Sequence, residues 1–160
     1  MPAAPVTAYV AIGSNLDDRE ANIRSAVLLL DKLEDVAVKR VSTLFENPAV
    51  GGPSGAPDFL NGAAEIETTL PARELLHRML GVERSMGRQR RERWAPREID
   101  LDLLLYGDAV IHEPGLIIPH PLMHERLFVL KPLAEIAPRA IHPVTNISIT
   151  DLLENRVRAV

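Results

Sequence analysis

Two aspartates lie two residues apart in Asp100-Leu101-Asp102, directly before the aliphatic run Leu103-Leu104-Leu105. On an extended strand such residues share one face, ~6.6 Å from each other. The aliphatic run heads that strand into a core, so its start is half-buried. Two carboxylates there repel each other and need a compensating positive charge. Divalent metal is one answer: a carboxylate pair bridging two cations ~3.5–4 Å apart is a recurring arrangement for phosphoryl transfer. Magnesium suits it, because it takes few carboxylates and fills its shell with water and phosphate oxygens. Ion pairs with arginine are the other answer. Arg88, Arg90, Arg91, Arg93 and Arg97 stand just upstream, with Trp94, the only tryptophan, among them. Arginine grips phosphate oxygens bidentately and stays charged, so the cluster fits a metal-bound polyphosphate whose charge is stabilised during transfer. A solvated basic loop and a nucleic-acid contact are alternative readings of the same arginines. Trp94 fits a stacking ring, a lid or a plain apolar anchor.

Further residues add to this picture. Phe59 and Asn61 share a strand face beside a long Pro/Gly-rich stretch, 47–57. An aromatic plate beside an amide suits a flat, hydrogen-bonding heterocycle, although a Phe at a strand start also serves as core. Glu83 is near a predicted helix C-terminus, where a carboxylate opposes the helix dipole. It serves either the site or the solvent. His120 and His124 are four apart but separated by Pro121, and no H-E-x-x-H pattern accompanies them. His120 reads as a nucleotide donor or a turn cap. There is no Walker-type glycine loop and no kinase glycine-rich loop.

Composition narrows the classes. The chain has 160 residues, 46% hydrophobic and 25% charged, with a formal net charge of -4. This is the balance of one ordinary globular domain, 1–160, and its acidity argues against a general nucleic-acid binder. Cysteine is absent, which excludes disulfides and thiol chemistry. No signal-like start or membrane-length apolar run is present, so a cytoplasmic protein is expected.

The elements that must carry these residues follow from periodicity. Thr7–Ile12 reads as a strand. Residues 18–33 read as a helix with Asp17 and Glu20 as a capping box. Val36–Phe45 is a second strand with a bulge near Lys39-Arg40. Asp58–Thr68 is a third strand, followed by a helix capped by Thr69 and closed by Gly87. Ile99–Tyr106 is the fourth strand, with Ala109–Ile111 pairing back on it. Leu116–Ile118, a helix near Leu122–Val129, a piece 133–136 that Pro132 starts or kinks, and a helix capped by Ser148 or Thr150 complete the chain. The order predicts an α+β, ferredoxin-like βαββαβ fold: an antiparallel sheet with helices packed on it, plus short C-terminal elements.

The run Arg93-Trp94-Ala95-Pro96-Arg97-Glu98-Ile99-Asp100-Leu101-Asp102-Leu103-Leu104 resembles the signature of the 6-hydroxymethyl-7,8-dihydropterin pyrophosphokinase family. Ala8–Leu16, Asn47–Gly51, Pro57–Asn61, Glu83–Arg88 and Pro119–Phe128 also fall in the family's order. The resemblance implies transfer of the terminal diphosphate of ATP to the pterin hydroxymethyl group, leaving AMP, by a monomer in folate biosynthesis. It implies two Mg²⁺ on Asp100 and Asp102, and catalytic assistance from Arg88 and Arg97. ATP would be held by Glu83, Arg90, Trp94, Leu103, His120 and Arg126. The pterin would lie between Phe59 and Phe128, read by Asn61 and by Asn47, Pro48 and Val50. Nucleic acid and membrane are not among the implied partners. Asn47, Leu80 and Pro121 depart from the family's common Thr, Gln and aromatic residues, and the arginine stretch is one residue shorter than in some members.

Overall fold

The computed structural model describes residues 4–15, 18–47, 59–86 and 99–159. The readings made for Asp17, Gly87, the 48–57 stretch and the 88–98 arginine stretch lie outside them. Four strands form the main ladder, β1 (Val6–Ser14), β2 (Val36–Val41), β4 (Phe59–Thr68) and β5 (Asp100–Tyr106), in the order β2-β4-β1-β5, all antiparallel. The short β3 (Phe45–Asn47) also pairs with β4. Helices α1 (Arg19–Lys32) and α2 (Ala72–Ser85) connect β1 to β2 and β4 to β5. Each helix therefore joins parallel strands with one strand between them, which is the expected split βαβ arrangement.

The C-terminal part is more than a tail. After a hairpin of β6 (Ile111–Glu113) and β7 (Leu116–Ile118), and a 3-10 turn at Met123–Glu125, come α3 (Leu127–Ile136) and α4 (Ile149–Arg158). These last helices cover the second face of the sheet. Ala8, Val10, Ile12, Ala64, Ile66, Leu101 and Leu103 pack under α1 and α2. Ala63, Leu104 and Leu105 pack with Leu130, Leu133 and Leu152. A register shift between Tyr9 and Val10, opposite Leu104, lets β5 serve both cores.

Local details differ from the sequence reading in instructive ways. The N-cap of α1 is Asp18, whose carboxylate accepts the Ala21 N–H at 3.1 Å. Helix α2 starts after Pro71 without a side-chain cap. The threonine that works there is Thr68, which donates to the Asp35 carbonyl and accepts from Leu70 N–H. The bulge expected near Lys39-Arg40 is present as a register shift between Val38 and Arg40. A second break at residues 42–44 divides the predicted second strand into β2 and β3. Ile111 pairs with β7 rather than back onto β5. Helix α3 runs through Pro132. The lost N–H is outweighed by burial of Leu130, Leu133 and Ile136 on one side. Ser148 caps α4 as expected, accepting Asp151 N–H at 3.1 Å. No described helix is long and apolar enough to cross a membrane.

Candidate functional site

The sheet brings the chemistry together by register. Asn47 lies opposite Phe59, Asn61 opposite Gly13, Gly13 opposite Asp100, and Ala11 opposite Asp102. These residues thus share the sheet face that α3 covers, in neighbouring rows that cross β3, β4, β1 and β5. Phe128 and Val129 of α3 and Arg126 just before it form the far wall. This half-enclosed pocket has a volume of about 230 Å³.

Gly13 makes room for the Asn61 amide in this array. A Cβ there would come within 2.7 Å of the Asn61 Nδ2 atom, too close for any real contact. Asn61 is buried, and its Oδ1 atom has no hydrogen-bond partner among the described residues. An unpaired buried amide oxygen costs free energy unless a ligand donor meets it. Phe59 and Phe128 offer aromatic surface in the same pocket. The Arg126 guanidinium stands over the Phe128 ring at 5.6 Å, a cation–π contact.

A second pocket runs along the outer edge of β5. Leu76, Leu101, Asp102, Leu103, Leu116, Ile117, His120 and Pro121 line it. An edge strand leaves backbone groups unpaired, and here two are met. Glu83 accepts the Leu101 N–H at 2.8 Å, and His120 N–H donates to the Leu104 carbonyl at 3.0 Å. Glu83 is only 4% exposed. It is not solvated, and one of its carboxylate oxygens secures the residue between the two aspartates. His120 Nδ1 accepts Leu122 N–H at 3.2 Å, so the neutral ring carries its proton on Nε2. Burial pushes His120 below the ordinary histidine value, against the pull of the Asp102 carboxylate and with the push of Arg126.

Asp102 lines both pockets, and Asp100 lines the first. No group of three or more metal-ligating side chains occurs among the described residues. The hard oxygens of a carboxylate pair would suit a cation such as Mg²⁺, which takes few carboxylates and fills its shell with water and substrate oxygens.

Of the residues expected at the site, Asn47, Phe59, Asn61, Asp100, Asp102, Arg126 and Phe128 meet in the first pocket, and Leu103 and His120 in the second. Glu83 stands behind β5. Arg126 was expected with the nucleotide and stands against Phe128 at the first pocket. Pro48, Val50, Arg88, Arg90, Trp94 and Arg97 lie outside the described residues. Gly13 was missed by sequence reasoning, because no local pattern ties it to Asn61.

Comparisons with known proteins identify the family. Residues 9–138 match the family model described as 7,8-dihydro-6-hydroxymethylpterin-pyrophosphokinase (HPPK). A Bacillus subtilis protein named 2-amino-4-hydroxy-6-hydroxymethyldihydropteridine pyrophosphokinase is 47% identical over 139 residues, covering 87% of this chain and 83% of the relative. A Haemophilus influenzae protein of the same name is 38% identical, covering 93% and 92%. A crystal structure of wild-type Plasmodium falciparum HPPK-DHPS with pterin and p-hydroxybenzoate superposes with a TM-score of 0.75 at 16% identity. That match covers 99% of this chain and 43% of the longer one, and it shows a shared fold. The chain belongs to the 7,8-dihydro-6-hydroxymethylpterin-pyrophosphokinase family and is a pyrophosphokinase.

Proposed function

We propose that this chain, as a single-domain monomer, transfers the terminal diphosphate of ATP to the hydroxymethyl group of 6-hydroxymethyl-7,8-dihydropterin. AMP and the pterin diphosphate are the products. The observation that carries this reading is Asp102, which lines both the enclosed pocket and the groove along β5. Two substrates held on either side of it would meet at the carboxylate pair.

The enclosed pocket takes the pterin. Phe59 and Phe128 hold the flat ring, and the Asn61 Oδ1 atom accepts one of its N–H groups. Asn47 and the backbone of 48–50 read the rest of its edge. The groove takes ATP, with Leu103 and Ile117 as apolar walls and the His120 Nε2–H as donor. Glu83 serves the nucleotide through β5, and Arg126 holds phosphate beside the acceptor. Arg90 and Trp94 add to the nucleotide side, and Arg88 and Arg97 stabilise charge on the phosphates in flight.

Asp100 and Asp102 would hold two Mg²⁺. When bound, these ions would neutralise phosphate charge and align the reacting oxygens. The chain itself orients the acceptor hydroxyl towards the β-phosphorus, excludes water with the α3 wall, and receives negative charge on its arginines. No dedicated general base is required for such a transfer.

Incubation with ATP, Mg²⁺ and the hydroxymethyl pterin tests this. AMP and the pterin diphosphate should appear in equal amounts. Release of ADP would point to a simple phosphoryl transferase on the same scaffold, and no pterin-dependent turnover would sink the substrate assignment.

A further inference from the structure

The break between β2 and β3 is built with side chains. Ser42 N–H donates to the Ala63 carbonyl at 2.9 Å, and Ser42 Oγ accepts Ala63 N–H at 2.9 Å. The same hydroxyl donates to the Thr43 carbonyl at 2.7 Å. Gly62 leaves room for the crossing: a Cβ there would stand 2.7 Å from Leu44 Cδ2. Thr43 is thereby turned outward, away from the ladder. Its N–H donates to Glu135 Oε1 at 2.8 Å and its hydroxyl to Glu135 Oε2 at 2.6 Å. Both carboxylate oxygens are used, and these bonds hold the Glu135 carboxyl below its ordinary value.

This clamp joins the two walls of the enclosed pocket. Thr43 leads into β3, which carries Asn47, and Glu135 lies on α3, which carries Phe128 and Val129. The apolar core beneath α3 holds the helix on the sheet, but apolar packing is non-directional. Two charge-assisted hydrogen bonds add direction and fix how α3 slides and rolls. Pro132 makes this docking matter more, because it cannot donate to the Phe128 carbonyl and the helix ladder is weaker there.

We propose that Glu135 is a positioning residue for the acceptor pocket: docked on Thr43, it sets the height of the Phe128 wall over Phe59 and Asn61. The proposal rests on the reading of that pocket as the pterin site. The exposed clamp contributes little to global stability, so its effect is selective.

The test compares Glu135→Ala, Glu135→Gln, Thr43→Val and the Glu135→Ala/Thr43→Val double variant with the unaltered chain. Pterin KM, ATP KM, kcat and Tm are measured for each. Glu135→Ala should raise pterin KM ~10-fold, with ATP KM and kcat within ~2-fold, as expected for a misplaced binding wall. Glu135→Gln should recover most of the loss, because one amide oxygen still receives the Thr43 N–H. Thr43→Val should raise pterin KM about threefold through one lost hydrogen bond. The double variant should be no worse than Glu135→Ala, since both remove the same contact.

Unchanged pterin KM in folded Glu135→Ala overturns the proposal. So does a parallel fall in all parameters that follows Tm. If Glu135→Ala fails to fold, Glu135→Gln and Thr43→Val decide by the same KM criterion. If the unaltered chain turns over no pterin, the substrate reading has failed and the proposal falls with it. Normal turnover in the unaltered chain with unaffected variants refutes the clamp alone.

Discussion

The two pockets that meet at Asp102 are built differently. The enclosed one lies on a sheet face, and aimed side chains from β3, β4, β5 and the start of α3 converge on it. The other lies along the edge of β5 and is walled mainly by aliphatic side chains and the β7 strand. A sheet face under a helix can present a fixed pattern of donors and acceptors, which suits discrimination of one heterocycle. A strand edge offers shape and a few backbone-anchored groups, which suits a cosubstrate gripped chiefly by its phosphates. The Asn61 Oδ1 atom, without a partner among the described residues, belongs to the first kind of site, and the Glu83–Leu101 contact to the second.

This contrast can be broken at its shared residue. Asp100→Asn or Asp102→Asn should keep the fold and lower Mg²⁺-dependent turnover by ~10³-fold, several kcal/mol of lost charge stabilisation. Asp102→Asn should also disturb ligand binding in both pockets. Near-normal turnover in either variant would remove the metal assignment.

Asn61→Leu should separate the pockets. Pterin affinity should fall ~10–100-fold with the loss of an aimed acceptor, while ATP affinity stays. Tm should hold or rise, because a buried polar atom with no partner among the described residues is replaced by an apolar group. A large drop in Tm would mean that the Oδ1 atom has a structural duty.

Glu83→Ala probes the edge. It leaves the Leu101 N–H without its carboxylate and should cost ~1–3 kcal/mol of stability by denaturant unfolding. ATP affinity should weaken more than pterin affinity. Equal weakening of both would dissolve the distinction between the pockets.

The smallest effect is expected away from both. His142 is buried, and its Nδ1 accepts N–H groups of Val144 and Thr145. Burial and the neighbouring His124 hold its value below the ordinary 6.5. Above 6.5 both folded and unfolded chains carry it neutral. As pH falls through that value the unfolded state takes a proton first, so stability declines and then levels once the folded value is passed. His142→Asn keeps an acceptor near the Nδ1 position and should flatten that decline in Tm between about pH 7 and 5. An unchanged slope would assign the decline to other groups.

Local patterns made much of this legible. The Asp pair, the shared face of Phe59 and Asn61, and the Ser148 cap depend on neighbours a few residues away, and periodicity suffices for them. The bulge at Lys39-Arg40 showed itself as a change of parity. The Thr69 cap failed because Thr68 already bonds across to Asp35, a contact that only the tertiary fold brings about. Pro132 suggested a boundary, yet packing of α3 on the sheet overrode it. Glu83 meets Leu101 across 18 residues and Thr43 meets Glu135 across 92, and no local period encodes such pairs. Gly13 was visible as a glycine, but its need follows from the position of Asn61 on another strand.

The late position of α3 in the chain has a consequence for synthesis. A nascent chain that has emerged only as far as β7 already contains both aspartates, Phe59 and Asn61. It lacks Phe128 and Val129, and its Tyr9, Ala11, Ala63, Leu104 and Leu105 surface has no cover. Until the last helices dock, that greasy sheet face is open to chaperones and to other chains. The wall of the first pocket is therefore the last part of the site that the newborn protein acquires, after its carboxylate pair has already been made.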